Sequence, residues 1–314
     1  MAEVLCMGDI LVEIMRPKED IPLNREDYFR GPFPSGAPAI FIDTVAKMGH
    51  SAAIIGGVGQ DDFGDYIVQR LEKDHVDCGY IHHSRKLSTG CAFVTYFADG
   101  SRKFIFHMGN SAAVEVDAPD LSDMNCLKFF HVMGTALPDN RRFAGEIIKT
   151  MHAALAKGAK VSFDPNIRPE LMRDPEVYDS IREVTDNASV LMPGREELML
   201  ITGEKNLEDA VRKSFDNPVL EILALKSGSR GSVIYDRRGS TEVGTYPVKV
   251  LDTTGAGDCF DAAFLCGLLE GKTLKAAAEM ATAAASLNCA AFGPMEGRIS
   301  PEAVGKMIAE SRLV

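Results

Sequence analysis

The segment 252–258 is the part of the sequence whose residue types and spacing best suit chemistry on a phosphate group. It reads Asp-Thr-Thr-Gly-Ala-Gly-Asp and precedes a helix-period segment, Cys259–Glu270. The backbone N–H groups of 255–257 therefore meet at a helix start, where the helix dipole also favours an anion. Asp258 follows in the first turn, where a carboxylate can take the proton of an attacking hydroxyl while the amides hold a transferring phosphoryl group. A capping aspartate after a glycine turn is the simpler alternative.

The elements that must position this segment are short strands alternating with helices. Strand-like apolar runs are found at Val4–Met7, Ala52–Ile55, Leu127–Met133, Lys160–Phe163, Ser189–Met192, Ile222–Lys226 and Ser232–Tyr235. Helix-period segments include Ala37–Met48, Asp62–Lys73, Asn140–Lys157, Arg195–Ile201, Cys259–Glu270, Leu274–Ala291 and Pro301–Glu310. This alternation predicts an α/β fold with a mostly parallel sheet covered by helices on both faces.

Two segments interrupt the alternation and predict a small β-sheet lid. Residues 13–35 contain four prolines among scattered apolar residues, which indicates loop or edge strands. Cys91–Phe97 and Lys103–His107 read as two strands joined by a turn that contains Asp-Gly, a good hairpin signal. The predicted division is an α/β core of 1–12, 36–87 and 112–314, with a lid of 13–35 and 88–111.

The charge balance excludes several classes of partner. The 314 residues include 34 basic and 45 acidic side chains, a formal net charge of −11. Nucleic acids and anionic membranes select clustered Lys and Arg, so we expect neither as a partner. No apolar run approaches a membrane span, and no segment is typical of a secretory leader. The seven cysteines include no C-x-x-C pair, which favours free thiols in the cytoplasm.

Motifs over nearly the whole chain resemble, in order, those of the ribokinase-like (PfkB) carbohydrate kinases. The segment 252–258 is similar to the C-terminal signature of that family. The other matches are Gly8-Asp9, Ser-Gly-Ala-Pro-Ala at 35–39, and the segments 57–64, 109–112, 164–171 and 226–231. The resemblance implies a Rossmann-like core with a β-sheet lid. It also implies an ATP-dependent sugar kinase that uses Mg²⁺. Many members also hold a monovalent cation such as K⁺, and whether this chain uses K⁺ stays open at this point.

The resemblance further implies roles for individual residues on the phosphate side. Asp258 is the implied catalytic base, and Gly255, Ala256 and Gly257 are the implied anion hole. The implied nucleotide-binding residues are Lys226, Gly228, Gly231, Thr253, Gly255, Gly257 and Asn288. The implied ion-binding residues are Glu197, indirectly for Mg²⁺, and Asp252 and Thr254 for the monovalent cation.

On the sugar side, the implied substrate-binding residues are Asp9, Glu13, Gly36, Arg168 and Asp258. Carboxylates that bond adjacent hydroxyls suit a polyol, and a glycine lets the sugar approach the backbone. The chain also departs from the family pattern. Ser35 replaces the first glycine of a Gly-Gly pair, Glu13 replaces an aspartate, and Ile40 replaces an asparagine expected to meet a sugar hydroxyl. Gly194 replaces the asparagine of the Asn-x-x-Glu motif that ends at Glu197.

The identity of the sugar is predicted from one difference between this sequence and the keto-acid kinases of the family. The closest subgroups are fructokinases, tagatose-type kinases and 2-keto-3-deoxygluconate kinases, and the last hold a substrate carboxylate with an arginine before a Ser-Ala pair. No arginine precedes Ser111-Ala112 in 106–109, so the prediction is a neutral ketohexose. The keto acid is the alternative, with His107 or Arg168 on its carboxylate.

Other functions and the assembly state stay open at this point. A nucleoside kinase is one alternative. An inactive sugar-binding regulator, motivated by Ile40 and Gly194, is another. A nicotinamide-dependent dehydrogenase is disfavoured because no G-x-G-x-x-G follows the first strand. The unpaired edges of the lid sheet favour a homodimer through the lid.

Overall fold

The computed structural model of the protein describes residues 2–138, 140–168, 171–172 and 175–313. The strands in these ranges are β1 (Val4–Met7), β2 (Leu11–Met15), β3 (Arg30–Ser35), β4 (Ala52–Gly59), β5 (Asp77–Ser84), β6 (Gly90–Tyr96), β7 (Arg102–His107), β8 (Phe129–Met133), β9 (Lys160–Asp164), β10 (Val190–Leu191), β11 (Ile222–Lys226), β12 (Ser232–Asp236) and β13 (Gly239–Val243). The helices are α1 (Ala37–Lys47), α2 (Asp62–Lys73), α3 (Arg141–Ala156), α4 (Val177–Asn187), α5 (Arg195–Thr202), α6 (Leu207–Ser214), α7 (Ala256–Leu269), α8 (Leu274–Cys289) and α9 (Pro301–Glu310).

The larger sheet has the order β13-β12-β11-β10-β9-β8-β1-β4-β5. Its strands from β11 to β5 pair in parallel, and β12 and β13 extend it as antiparallel strands. The apolar run of β1 is buried on both sides, as a central parallel strand requires. Val4 and Cys6 belong to one hydrophobic core, whereas Leu5 and Met7 belong to the core on the opposite face. The predicted α/β class with helices on both faces is confirmed.

The smaller sheet has the order β3-β2-β6-β7. The β6–β7 hairpin turns through 98–101, where Gly100 takes a left-handed φ of 82°. Along β7, the side chains of Arg102, Phe104 and Phe106 are half-buried, and those between them are exposed. One face of this hairpin therefore covers the rest of the molecule.

Some elements differ from the sequence-based prediction. The edge strand β5 was not predicted, because its polar residues, such as His82 and His83, lack the apolar pattern of a buried strand. Helices α4 and α6 and the edge strand β13 were likewise not predicted. Of the motif at 164–171, Pro169 and Glu170 lie outside the described residues. In the described part of the chain, none of the helices has both the length and the apolar character needed to cross a membrane.

Candidate active site

A cavity of about 260 Å³ lies where the carboxyl ends of the central parallel strands meet the smaller sheet. Asp9 follows β1, Asp164 ends β9 and Lys226 ends β11, so the fold brings polar residues from distant parts of the chain to one edge. The sequence-predicted residues that line the cavity are Asp9, Glu13, Gly36, Arg168, Glu197, Lys226, Thr253, Thr254, Gly255, Gly257 and Asp258. Ala256, Gly228, Gly231, Asp252 and Asn288 are not among the lining residues.

The turn before α7 contains the residues of the predicted amide cradle. Gly255 caps the helix with a left-handed φ of 80°. A side chain there is excluded, because a Cβ would lie 2.5 Å from the carbonyl oxygen of Pro294. The Ala256 N–H makes a long bond of 3.3 Å to the carbonyl oxygen of Thr253, and the first N–H groups of a helix have no acceptor within the helix. The turn thus fits an anion such as a phosphoryl group.

Asp258 lies in the first turn of α7 and is buried at the wall of the cavity. The side-chain amide of Asn166 donates a hydrogen bond of 3.2 Å to its Oδ1. Burial, together with the nearby negative charge of Asp164, raises the pKa of Asp258 to about 7, against the opposing effect of Lys226. A carboxylate with a pKa near neutrality, next to an anion cradle, is suited to accept a proton from a hydroxyl.

Lys226 was predicted as a nucleotide contact, and the structure places its ammonium between two carboxylates. Nζ lies 2.7 Å from Oδ2 of Asp164 and 2.9 Å from Oδ2 of Asp261. Burial disfavours the charged amine, but the two aspartates raise the pKa of Lys226 above its usual value. Burial raises the pKa of Asp261 well above its usual value, whereas Lys226 helps to hold that of Asp164 low. Lys226 still lines the cavity.

Three of the sugar-side candidates, Asp9, Glu13 and Gly36, lie in or next to β2 and the start of α1, and they line the cavity. Glu13 Oε1 accepts a hydrogen bond of 2.6 Å from the hydroxyl of Ser35. Burial raises the pKa of Glu13 to about 7, and the Ser35 bond opposes the shift. Gly36 has a φ of 101°, and a Cβ there would lie 2.4 Å from the carbonyl oxygen of Asp9. Ile40 lines the same cavity, so the predicted departure places an apolar group in it.

Sequence reasoning missed the residues that β6 and β7 of the smaller sheet contribute. Tyr96 Oη donates to Asp252 Oδ1 at 3.1 Å and lies 3.0 Å from Thr254 Oγ1. The Arg102 guanidinium donates to the same Thr254 hydroxyl at 3.2 Å. Arg102 also lines the cavity, whereas His107, which was considered as a partner for a substrate carboxylate, is exposed and is not among the lining residues. The alternation of residue types along β7 indicated that one face of the strand is covered. Only the strand register in the structure shows that Arg102, and not His107, is on that face.

Glu197 holds backbone groups at the cavity wall. Its Oε2 accepts the N–H of Gly194 at 2.6 Å, and its Oε1 accepts the N–H of Ile167 at 2.7 Å. It therefore joins the start of α5 to the segment before Arg168. Each oxygen keeps a further lone pair, so the carboxylate still suits a hydrated Mg²⁺. Within the described ranges, no group of three or more His, Cys, Asp or Glu side chains has the arrangement of a metal site.

The remaining predicted residues lie behind the cradle or at the β11–β12 turn. Asn288 is buried, and its amide donates to the carbonyl oxygen of Thr254 at 2.8 Å. The Thr254 carbonyl oxygen keeps a second lone pair beside this bond. Gly228 and Gly231 both have positive φ, and a Cβ at Gly231 would lie 2.0 Å from the carbonyl oxygen of Val243. Asp252 accepts the N–H of Gly293 at 3.1 Å, which fixes the loop after α8 to the cradle.

Comparisons with known proteins agree with this arrangement. Residues 1–300 match the family described as "pfkB family carbohydrate kinase". It is 30% identical to "Fructokinase-2" of Solanum habrochaites over 276 residues, which cover 87% of this chain and 84% of that protein. The chain belongs to the PfkB family of carbohydrate kinases and is a sugar phosphotransferase.

Solved structures give the same result for the fold. An E. coli protein called a "putative Ribokinase II", solved with ATP and Mg²⁺, has a TM-score of 0.92 and 35% identity, covering 98% of this chain and 99% of that one. The fructokinase of Vibrio cholerae O395, solved with fructose, ADP and calcium ion, has a TM-score of 0.83 and 25% identity, with coverages of 98% and 99%. The predicted ribokinase-like fold is confirmed.

Proposed function

We propose that the protein transfers the γ-phosphoryl group of ATP to a hydroxyl of a neutral ketohexose, fructose- or tagatose-like. The observation that carries the proposal is that the proposed base, the proposed amide cradle and the candidate sugar-binding carboxylates all line one cavity. Asp258 lies beside the amide cradle, and Asp9 and Glu13 line the same cavity with the polar groups that suit a polyol. The fructokinase relatives at about 30% identity support a ketohexose over other sugars.

The chemistry follows from the proposed roles of these residues. Asp258 accepts the proton of the sugar hydroxyl as the new O–P bond forms, and ADP leaves as the β–γ bridging bond breaks. The N–H groups of 255–257 stabilise the charge on the transferring phosphoryl oxygens. Bound Mg²⁺ supplies charge neutralisation on the phosphates, and Glu197 is the residue we assign to its hydration shell. Asp252 and Thr254 are assigned to a K⁺ site beside the cradle.

The smaller sheet, with the segments 13–35 and 88–111, is proposed to be the lid, and the remaining ranges the core. Tyr96 and Arg102 contact Asp252 and Thr254 from the lid, so the lid and the cradle share hydrogen bonds. A lid in this position excludes water, which prevents hydrolysis of ATP. The open edges of the lid sheet, β3 and β7, favour a homodimer through the lid.

One observation favours a second candidate, a 2-keto-3-deoxygluconate kinase. Two arginines, Arg102 and Arg168, line the cavity. Guanidinium groups bind carboxylates in a bidentate manner, so a keto acid would find partners there that the sequence before Ser111 does not supply.

A screen for ADP release with Mg²⁺-ATP tests both candidates. The acceptors are fructose, tagatose, other ketohexoses, aldoses, 2-keto-3-deoxygluconate and nucleosides, each with and without K⁺, and the Asp258→Asn variant is the matched control. The proposal expects the highest kcat/KM with fructose or tagatose. A maximum with the keto acid would support the second candidate. Tight sugar binding without ADP release would instead indicate a regulator.

A further inference from the structure

Lys226 makes all three of its possible hydrogen bonds to carboxylates. Its ammonium has three N–H donors, and three oxygens lie within reach, namely Asp164 Oδ2 at 2.7 Å and Asp261 Oδ2 and Oδ1 at 2.9 and 3.1 Å. The side chain is 17% exposed, whereas those of Asp164 and Asp261 are 3% and 0% exposed. With its donors used in this way, Lys226 is better placed to hold these carboxylates than to hold a nucleotide.

Asp164 connects Lys226 to the proposed base through Asn166. Its second oxygen, Oδ1, accepts the backbone N–H of Asn166 at 3.1 Å. Asn166 has a φ of 39°, a conformation that a residue with a side chain rarely adopts and that the surrounding bonds must maintain. In this conformation its amide reaches Oδ1 of Asp258 at 3.2 Å. A continuous set of contacts thus runs from Lys226 to Asp258.

Asp261 gives Lys226 a second connection to the same base. Asp258 and Asp261 are three residues apart on α7, so they lie on one face of the helix. The ammonium on Asp261 therefore fastens that face of α7 to the end of β11. Together the two connections hold Asp258 from its own helix and from the opposite loop.

We propose that Lys226 is a positioning residue for the base Asp258, acting through Asp164 and Asn166 on one side and through Asp261 on the other. The inference rests on the proposed function of Asp258. It assigns Lys226 a role in orienting the base and keeping it ionisable, in place of a direct contact with the nucleotide.

The charges around Asp258 define what loss of Lys226 would do. Asp258 faces the negative charge of Asp164 and the positive charges of Lys226, Arg168 and Arg102, and it also interacts with Glu13. Burial raises the pKa of Asp261 and of Glu197, which favours their neutral forms, and it keeps the nearby thiols of Cys6 and Cys259 protonated by raising their pKa. His131 is buried near Asp164 and Lys226. Burial lowers the pKa of His131 to about 3, so it adds no charge near neutrality. Removal of Lys226 leaves the buried aspartates without their nearest cation, and the base becomes harder to ionise.

Steady-state kinetics of Lys226→Met, with Lys226→Arg as the conservative variant, tests the proposal. In Lys226→Met we expect kcat to fall roughly 10–100-fold and the acid limb of its pH profile to move up by about one unit, with partial recovery in Lys226→Arg. Binding of a non-hydrolysable ATP analogue with Mg²⁺, measured by calorimetry, should change less than about twofold. An unchanged pH profile with clearly weaker binding of the analogue would overturn the proposal in favour of a nucleotide contact.

A double-mutant cycle with Asn166→Ala tests the connection itself. If both residues act through the same contacts, Lys226→Met/Asn166→Ala loses no more kcat than the worse single variant. Additive losses would contradict the proposed relay. Where Lys226→Met alone does not give folded protein, Lys226→Met/Asp261→Asn removes opposite charges together and replaces it in both experiments.

A titration that needs no turnover separates this inference from the proposed function. Carboxyl ¹³C NMR of protein labelled at aspartate reports the pKa of Asp258, with Asp258→Asn used to assign the signal. The proposal expects that pKa to be higher in Lys226→Met than in the wild type, whatever the acceptor sugar. An identical pKa in the two proteins would overturn the inference, even if the wild type proved to be an active ketohexose kinase.

Discussion

Among the described residues, Lys226 and Lys47 each lie between two aspartates, and their surroundings differ. The base cluster consists of Lys226, Asp164 and Asp261, and the brace cluster consists of Lys47, Asp43, Asp74 and Arg70. Lys47 Nζ lies 2.6 Å from Asp43 and 3.5 Å from Asp74. It also donates to the carbonyl oxygen of Met295 at 3.1 Å. The brace cluster therefore joins α1 and α2 to the loop after α8, and none of its residues lines the cavity.

The two clusters differ in the number of cations that they contain and in the residues that their aspartates contact. In the brace cluster, Arg70 is a second cation, 2.6 Å from Asp74 and 2.9 Å from Glu296. In the base cluster, one ammonium contacts two aspartates, and the second oxygen of Asp164 accepts the N–H of Asn166 beside the proposed base. The same lysine–aspartate arrangement thus fixes helices in one place and, by our proposal, tunes a reacting carboxylate in the other.

The largest expected contrast is between Asp258→Asn and Asp43→Asn. Both changes remove a buried carboxylate whose pKa is raised to about 7 by burial. Asp258→Asn should lower kcat roughly 10²–10⁴-fold with little loss of folding, because the base is lost, whereas Asp43→Asn should leave kcat within about twofold. Steady-state kinetics on protein shown to be folded by circular dichroism makes the comparison. Near-normal turnover of Asp258→Asn would refute its assignment as the base.

The next contrast is in stability. Lys47→Met leaves Asp43, which is 1% exposed, without its nearest cation, so the free energy of unfolding should fall by about 3–5 kcal/mol. Denaturation in urea measures this, with Lys47→Arg as the matched control that keeps the charge. The pH profile of kcat in folded Lys47→Met should match that of the wild type. A shifted profile would show that the brace cluster also influences the base.

A smaller effect is expected in the pH dependence of kcat/KM. The base must be ionised to act, and burial raises the pKa of Asp258 to about 7, so activity should fall about tenfold per pH unit well below that value. Asp43→Asn should retain this acid limb, because its own titrating group is remote from the cavity. Loss of the acid limb in Asp43→Asn would show that the limb reports the titration of Asp43 in the brace cluster and not that of Asp258.

The smallest effect is on stability as a function of pH. Burial raises the pKa of Asp43 in the folded protein to about 7 from an ordinary value of 3.8. Its contribution to stability is therefore full below about pH 4 and is lost as the pH rises through 7. Between pH 5.5 and 8 the free energy of unfolding should therefore fall further in the wild type than in Asp43→Asn. The expected difference is roughly 1–2 kcal/mol. Urea denaturation at several pH values measures it, and an unchanged slope would contradict the assignment.

Much of the fold follows from local patterns in the sequence. The doubly buried runs of β1 and β9 and the amphipathic helices between strands were sufficient to predict the parallel sheet, whereas the polar edge strand β5 was not recognisable. The proposed cradle was recognisable because 252–258 is continuous in sequence. Its support was not, because the bonds from Tyr96, Asn166 and Asn288 span 156, 92 and 34 residues.

The lysine gives the clearest case of this limit. Sequence similarity placed Lys226 in a nucleotide loop, and its position along the chain says nothing of Asp261, which lies 35 residues away in an apolar helix. A charged residue between apolar neighbours at 259–265 was the available signal, because a buried carboxylate needs a partner. Only the packing of α7 against the end of β11 identifies that partner.

The position of β1 in the middle of the large sheet has a consequence for how the chain folds. β1 pairs with β4, about fifty residues later, and with β8, more than a hundred residues later. The hairpin β6–β7 of the smaller sheet and the edge hairpin β12–β13, by contrast, close over short turns. Loop-closure entropy makes such distant parallel pairings slow. We therefore expect assembly of the sheet centre, whose strand ends carry the site, to limit refolding, whereas the two hairpins can form from nearby sequence.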